Sequence, residues 1–338
     1  MKACKKLIID TDGAPDDVRA ISLALQTPDI EVLAITTVHG VVSVDQAVAN
    51  VSRTLRANRR TVPIYKGAFE PLVAMTGRVT DESLLFGKDG IGDKPDNFPK
   101  VEQEDFIKHD SSKPAALALI ELLKQHNDVT LVCIGPLTNI ALAMKLDADF
   151  VRRPKEMVIM GGNIYGVGNI SCRYTSEFNF GGDPEAAHIV LAKMECPITL
   201  VPWEACFFEG PKYEGEVDFH AHLRLGTPLA DFFSTVTSIG REILQRNNRQ
   251  YAYCDEIAMA IALCGESIIK ESKLMRASVE LNGEFTRGQV ACDWSEQFFN
   301  NANAVHKLDN SRRSVKFVIS YDAKALDQLI HDAVRKSK

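Results

Sequence analysis

Four aspartates, Asp10, Asp12, Asp16 and Asp17, fall within eight residues of one another near the start of the chain. Carboxylates spaced this closely repel one another unless protons or a cation sit among them. The cluster contains no His or Cys, and an oxygen-only donor set selects a hard ion such as Ca²⁺ or Mg²⁺ over zinc. Helix capping is the plainer alternative, because Asp suits the first turn of a helix, yet it accounts only for Asp16 and Asp17.

The cluster directly follows Leu7-Ile8-Ile9, a short apolar run that reads as a buried strand. Helix and strand patterns then alternate: helix from Val18 to Gln26, strand from Val32 to Val38, helix from Val42 to Ala57. The rhythm resumes with a helix from Pro114 to His126, the strand Val129 to Cys133 and a helix from Thr138 to Lys145. A strand from Met157 to Met160, a helix opened by Asp183-Pro184 and running to Lys193, and a strand from Ile198 to Val201 continue it. Such alternation predicts an α/β fold with an open, mostly parallel, Rossmann-like central sheet flanked by helices. Ligands of such sheets bind outside the carboxyl ends of the strands, where the aspartates fall.

Between Thr76 and Asp110 the pattern breaks into a long Gly-containing loop, expected near the active face. Beyond residue 227 the chain reads as helix-rich to Gly265. Two short strands follow, Arg276 to Leu281 and Gln289 to Cys292, and a last helix runs from Asp322 to Lys336. No linker-like or repeated tract interrupts the 338 residues, so one domain spanning 1–338 is expected.

Composition narrows the partners. With 45 Asp+Glu against 39 Lys+Arg and a net charge of -6, the chain shows no basic stripe, which argues against nucleic acid. Its 8 cysteines include no C-x-x-C pair, as expected for reduced, mostly buried thiols in a cytoplasmic protein. The apolar run before Asp10 is too short for a signal peptide, and nothing approaches a membrane span.

Two enzyme classes place Asp-x-Asp after a first strand: haloacid-dehalogenase-like phosphatases and nucleoside hydrolases, whose signature is Asp-x-Asp-Pro-Gly-x-Asp-Asp. Here Gly13-Ala14 replaces Pro-Gly, while the doublet Asp16-Asp17 keeps its distance. Further motifs agree in order. They are Lys88-Asp89-Gly90-Ile91-Gly92, Gly135-Pro136-Leu137-Thr138-Asn139-Ile140-Ala141, Met160-Gly161-Gly162, Glu177-Phe178-Asn179, Asp183-Pro184-Glu185-Ala186-Ala187, and Thr286-Arg287-Gly288 with Asp293. Together they make the chain resemble the inosine-uridine-preferring nucleoside hydrolase family over almost its whole length.

The resemblance implies hydrolysis of the N-glycosidic bond of ribonucleosides to ribose and free base, with a resident Ca²⁺. By position, Asp12, Asp17, the Ile134 carbonyl and Asp255 are the implied metal ligands, and Asp12 also takes a proton from the attacking water. Asp16, Met160, Asn169, Glu177 and Asn179 are implied to hold the substrate, and Asp10 to support the loop. A homodimer or homotetramer is the implied assembly. Cys254 stands where well-known members carry a leaving-group His, Val41 where many have Asn, and Phe86 where a loop His is common. The interval from Asn169 to Glu177 is two residues longer than in the commonest pattern. These departures resemble a cysteine-bearing subgroup, in which the Cys254 thiol is either the leaving-group acid or an inert buried residue.

The rival readings are a nucleoside- or ribose-binding homologue without turnover and, less well supported, the phosphatase. The latter requires a later Lys and a second acidic pair. Among the remaining side chains, His39 follows the second strand within reach of the site but reads as a core or rim histidine, and His188, inside the helix opened by Asp183, reads as structural. His220 and His222 read as non-metal residues for want of carboxylate or cysteine neighbours. Trp203 and Cys206 read as packing residues beside the base region. Phe86, Tyr251 and Tyr253 are weaker candidates for stacking on a base.

Overall fold

The first apolar run becomes an interior strand of the sheet, β1 (Lys5–Thr11), with its last five residues buried. Alternation along it feeds both faces: Leu7 and Ile9 enter one apolar core and Ile8 the other. The computed structural model describes residues 4–74, 85–170, 174–213, 215–249, 253–294 and 313–337. Cys172, Tyr251 and the start of the loop after Thr76 lie outside them.

From β1 the chain passes through α1 (Pro15–Gln26), β2 (Ile30–Thr37), α2 (Val44–Ala57) and β3 (Ile64–Lys66), then α3 (Ala115–Gln125) and β4 (Val129–Cys133). Next come α4 (Thr138–Leu146), β5 (Glu156–Met160), α5 (Phe178–Gly182), α6 (Pro184–Lys193), β6 (Ile198–Val201) and α7 (Trp203–Lys212). Helices α8 (Pro228–Val236), α9 (Ser238–Arg246) and α10 (Asp255–Cys264) precede β7 (Ile269–Val279), β8 (Val290–Cys292), β9 (Ser314–Tyr321) and α11 (Ala323–Lys336). Among the described residues, nine strands form one sheet in the order β3-β2-β1-β4-β5-β6-β9-β7-β8. Every pairing from β3 to β9 is parallel, and only β7 pairs antiparallel, with β9 and β8.

The predicted α/β architecture with a mostly parallel central sheet is therefore observed. The order reverses direction between β1 and β4, which opens a crevice at their carboxyl ends. Four features escape the sequence reading. Strand β3 has only three residues, and β9 carries Lys316 within its apolar pattern. Strand β7 begins at Ile269 rather than Arg276, because its polar first half is an exposed ribbon whose partner is β9. Pro211 disguises α7 as a loop, although it falls in the helix's last turn.

The loop after residue 85 is anchored despite its irregular backbone. Buried Arg53 donates from Nε to the Pro99 carbonyl at 2.6 Å and from Nη2 to those of Lys94 and Asn97 at 2.9 and 3.0 Å. Asn50 donates from one amide nitrogen to Gly13 O and to Asp89 O, both at 2.9 Å, tying this loop to the aspartate turn.

Candidate active site

The carboxyl ends of β1, β2, β4 and β5 open into a cavity of about 450 Å³. Its floor holds Asp12, Asp16, Asp17, Ile134, Met160, Glu177, Asn179 and Asp255, and Asn169 stands on its rim. The fold thus brings together every residue that the sequence reading assigned to substrate, metal or catalysis, with Cys254 among them.

Asp12 lies one residue past β1 and is buried. Its Oδ2 accepts the Val41 N–H at 2.8 Å, across the turn that follows β2. Gly40 is obligatory there, since a Cβ at that position would stand 2.0 Å from the same oxygen. Asp17 accepts the Thr11 hydroxyl on Oδ1 and the Ala14 N–H at 3.1 Å on Oδ2. Helix capping therefore explains part of Asp17, as the plainer reading held, whereas Asp12 is held by the backbone N–H groups of Val41 and Ala14. Asp10 faces away from the group as a tie: its Oδ1 accepts from Thr36 and, at 2.8 Å, from Asn139 Nδ2. The same Asn139 amide donates to Thr37 O and accepts from Ala68 N, joining β1, β2 and the residues after β3.

Asp255 opens α10, and the side chains of Asp16, Cys254 and Asp255 can place one ligand atom each within 4.8 Å of the others. Burial raises Asp255 well above the usual carboxylate range, and Asp16, Asp17 and Asp12 add repulsion. Asp17 is raised for the same reasons, and burial pushes Asp12 up to about 6 against the lowering pull of the Val41 N–H. Several carboxyls are thus held dry and close, where either protons or a positive ion relieve the repulsion. Next to them, Asn179 donates to the Met160 carbonyl at 3.2 Å and only loosely, at 3.4 Å, to that of Ile134.

Glu177 caps α5, accepting N–H groups from Asn179 and Phe180 on its two oxygens and from Gly162 at 2.7 Å. Burial nevertheless pushes it up to about 7. Asn169, which is exposed, accepts the Phe178 N–H at 2.7 Å, which ties it to the first residue of α5.

The cavity's outer wall is apolar. Trp203, Cys206, Phe207 and Gly210 recur on one face of α7, while Leu85, Phe86, Leu244 and Arg249 complete it. The Arg249 guanidinium lies 4.0 Å from the Phe207 ring centroid. Trp203 and Cys206 are thus wall residues rather than packing alone, and their i, i+3, i+4, i+7 spacing with Phe207 and Gly210 was the available signal. Tyr253 borders the cavity, but its ring packs against Phe219. It is fully buried, edge-on to Phe219 at 5.0 Å, and its hydroxyl donates to Asp327 at 2.5 Å.

Cys254 neighbours Cys206 closely enough to share a hydrogen bond, which together with burial raises its thiol well above the ordinary value. Its backbone N–H donates to Glu256 Oε2 at 2.8 Å, and Glu256 forms a buried ion pair with Arg19 of α1 at 2.5 Å. His39 sits in the core on Thr138 at 3.0 Å, as expected. His222 does have a carboxylate neighbour, Asp327, contrary to the sequence reading, because α11 packs over it.

A buried acidic floor beneath an apolar wall thus stands at the switch point of a parallel sheet. The chain matches the description "Inosine-uridine preferring nucleoside hydrolase" over residues 7–328, and it belongs to that family. It is 31% identical to the inosine-uridine preferring nucleoside hydrolase of Leishmania major over 295 residues, covering 86% of this chain and 88% of the relative. It is 40% identical to uridine nucleosidase 1 of Arabidopsis thaliana over 188 residues, which is 55% of this chain and 53% of that protein. The chain thus spans about half the length of this and several similar relatives. Among solved structures, an inosine-guanosine nucleoside hydrolase superposes with a TM-score of 0.82 at 30% identity, covering 98% of both chains. No helix among the described residues is long and apolar enough to cross a membrane.

Proposed function

We propose that the protein hydrolyses the N-glycosidic bond of ribonucleosides, releasing ribose and the free base. The convergence of Asp12, Asp16, Asp17 and Asp255 beneath the apolar wall carries this reading. The four carboxylates and the Ile134 carbonyl suit Ca²⁺, which takes 6–8 oxygens. We assign Asp12, Asp17, Ile134 and Asp255 as its ligands. When bound, the cation supplies charge that gathers a sugar diol and makes water easier to ionise.

The chain's own groups do the rest. Asp12, held by Val41, takes the proton of the attacking water. Asp16, Asn169, Glu177 and Asn179 hold the sugar hydroxyls, with Met160 beneath them, and their oxygens stabilise the oxocarbenium-like charge that grows as the bond breaks. The wall of Trp203, Phe207 and Phe86 encloses the base and excludes water. We read Cys254, standing where well-known members carry His, as the mark of a cysteine-bearing subgroup. Its raised thiol stays protonated at neutral pH and is a proton donor toward the leaving base, though a reluctant one.

That reluctance is the observation favouring the second reading, a nucleoside- or ribose-binding homologue with little turnover. The phosphatase finds no support, since no lysine lines the cavity among the described residues. We further read the chain as one domain, built on one sheet, acting in the cytoplasm as a homodimer or homotetramer. Ribose release from inosine, uridine, cytidine and adenosine, with and without a chelator, tests the function. No release from any of them, with calorimetric binding of ribose, would transfer the assignment to the second reading.

A further inference from the structure

Beyond Tyr253, the last helix brings a second set of ligand-type side chains together. Asp327 and His331 lie one turn apart on α11, and His222 comes from the 3-10 turn Ala221–Arg224. One donor atom of each can be chosen so that all three lie within 4.8 Å of one another. His222 is fully buried, and neither of its ring nitrogens has a hydrogen-bond partner among the described residues. A buried imidazole left in this state forfeits a hydrogen bond that solvent would supply. Its ring stands edge-on to that of His331, with centroids 6.0 Å apart. Asp327 Oδ1 accepts the Tyr253 hydroxyl, while Oδ2 lies 3.7 Å from His331 Nε2.

We propose that His222, Asp327 and His331 form a second metal site, distinct from the carboxylate cluster and selective for a borderline transition ion such as Zn²⁺ over Ca²⁺. Two imidazole nitrogens and one carboxylate oxygen match zinc chemistry, whereas calcium wants more oxygens. Tetrahedral bonds of about 2.0–2.1 Å set donors roughly 3.3 Å apart, so loading draws the three inward by at most about 1.5 Å. The side chains of His331 and Asp327, 16% and 19% exposed, have the freedom to make that movement and leave an entry path. The facing cations oppose a dication only in part. Arg19 is offset by its ion pair with Glu256, whereas Arg241, bonded only to the neutral Ser234 and Thr237 among the described residues, keeps its charge. Together with burial, their field pushes His222 down to about 2, which keeps its ring in the neutral form that binds metals. A bound ion would fasten α11 to the 220s turn and, through Asp327 and Tyr253, to the segment carrying Cys254.

Calorimetric titration of Zn²⁺ into the full chain, with Ca²⁺ in excess, tests this alongside Co²⁺ absorption. One equivalent of Zn²⁺ and a cobalt spectrum of nitrogen and oxygen ligation are expected. His331→Gln should weaken Zn²⁺ by more than the roughly 10–100-fold that losing an outer-sphere partner costs, with far-UV circular dichroism unchanged. Asp327→Asn serves equally should His331→Gln misfold. Absence of binding at micromolar Zn²⁺, binding indifferent to both substitutions, or a thiolate charge-transfer band placing the ion on Cys254 and Cys206 would each overturn the proposal.

Discussion

Asp12 has one oxygen held by the Val41 N–H and is surrounded by like charge, so an amide at this position fits the space while losing the proposed base. Asp12→Asn should lower kcat for ribose release by about 10²–10⁴-fold, the range for losing a general base. Its metal-free Tm should hold or rise, because one buried anion is gone. Unimpaired turnover would remove Asp12 from the chemistry. Cys254 makes a different demand. If its thiol protonates the base, Cys254→Ala should slow natural nucleosides far more than a p-nitrophenyl riboside, whose leaving group needs no proton. Equal losses on the two substrates would leave Cys254 as a wall residue hydrogen-bonded to Cys206.

The turns after β1 and β2 position the site as a pair. Gly40 lets the second turn approach the first closely enough for Val41 to reach Asp12, and an added Cβ would collide with the Asp12 carboxylate itself. Gly40→Ala is therefore expected to cost both turnover and stability, since the added Cβ also stands 2.5 Å from Asp12 Cβ, which rotation of the Asp12 side chain cannot relieve, and the two turns must part. Parallel kinetics and urea unfolding would separate the two losses. Asn139, by contrast, spans β1, β2 and the residues after β3 with buried hydrogen bonds. Asn139→Ala leaves those groups unsatisfied and should cost at least about 1–3 kcal/mol, read from the urea midpoint at unchanged m-value. A loss below half a kcal/mol would mean that water replaces the amide.

At the scale of the molecule, burial moves several carboxyls in one direction. Asp10, Glu177 and Glu256 are pushed up to about 7 and Asp12 up to about 6, from ordinary values of 3.8 or 4.5. The folded chain therefore keeps protons that the unfolded chain releases, so the unfolded state binds fewer protons across this interval. Stability contributed by these groups is present below about pH 4 and is lost as pH rises to about 7. Ca²⁺ bound as proposed would replace only the protons of Asp12, Asp17 and Asp255, all of them raised. The Tm of the EGTA-treated protein is expected to fall between about pH 5 and pH 7, and the Tm gained on adding Ca²⁺ to grow over the same interval. A calcium shift independent of pH would separate the ion from the carboxylate cluster.

What the sequence determined by itself was local or ordered along the chain. The alternation of apolar runs and helical patterns dictated the parallel sheet, and strand-end placement put Asp12, Ile134 and Met160 on one edge. Motifs kept in order supplied Asp255 and Glu177, whose distance from Asp12 in the chain says nothing about space. Tertiary structure alone decided what meets across elements. Cys206 faces Cys254, Tyr253 turns its hydroxyl away from the cavity to Asp327, and α11 lays Asp327 and His331 against His222. The Asp327 and His331 pair was visible as an i, i+4 spacing, but its partner lies more than a hundred residues earlier. Periodicity reports which face of a helix is apolar. It does not report which element covers that face, because side-chain packing between distant segments settles the choice.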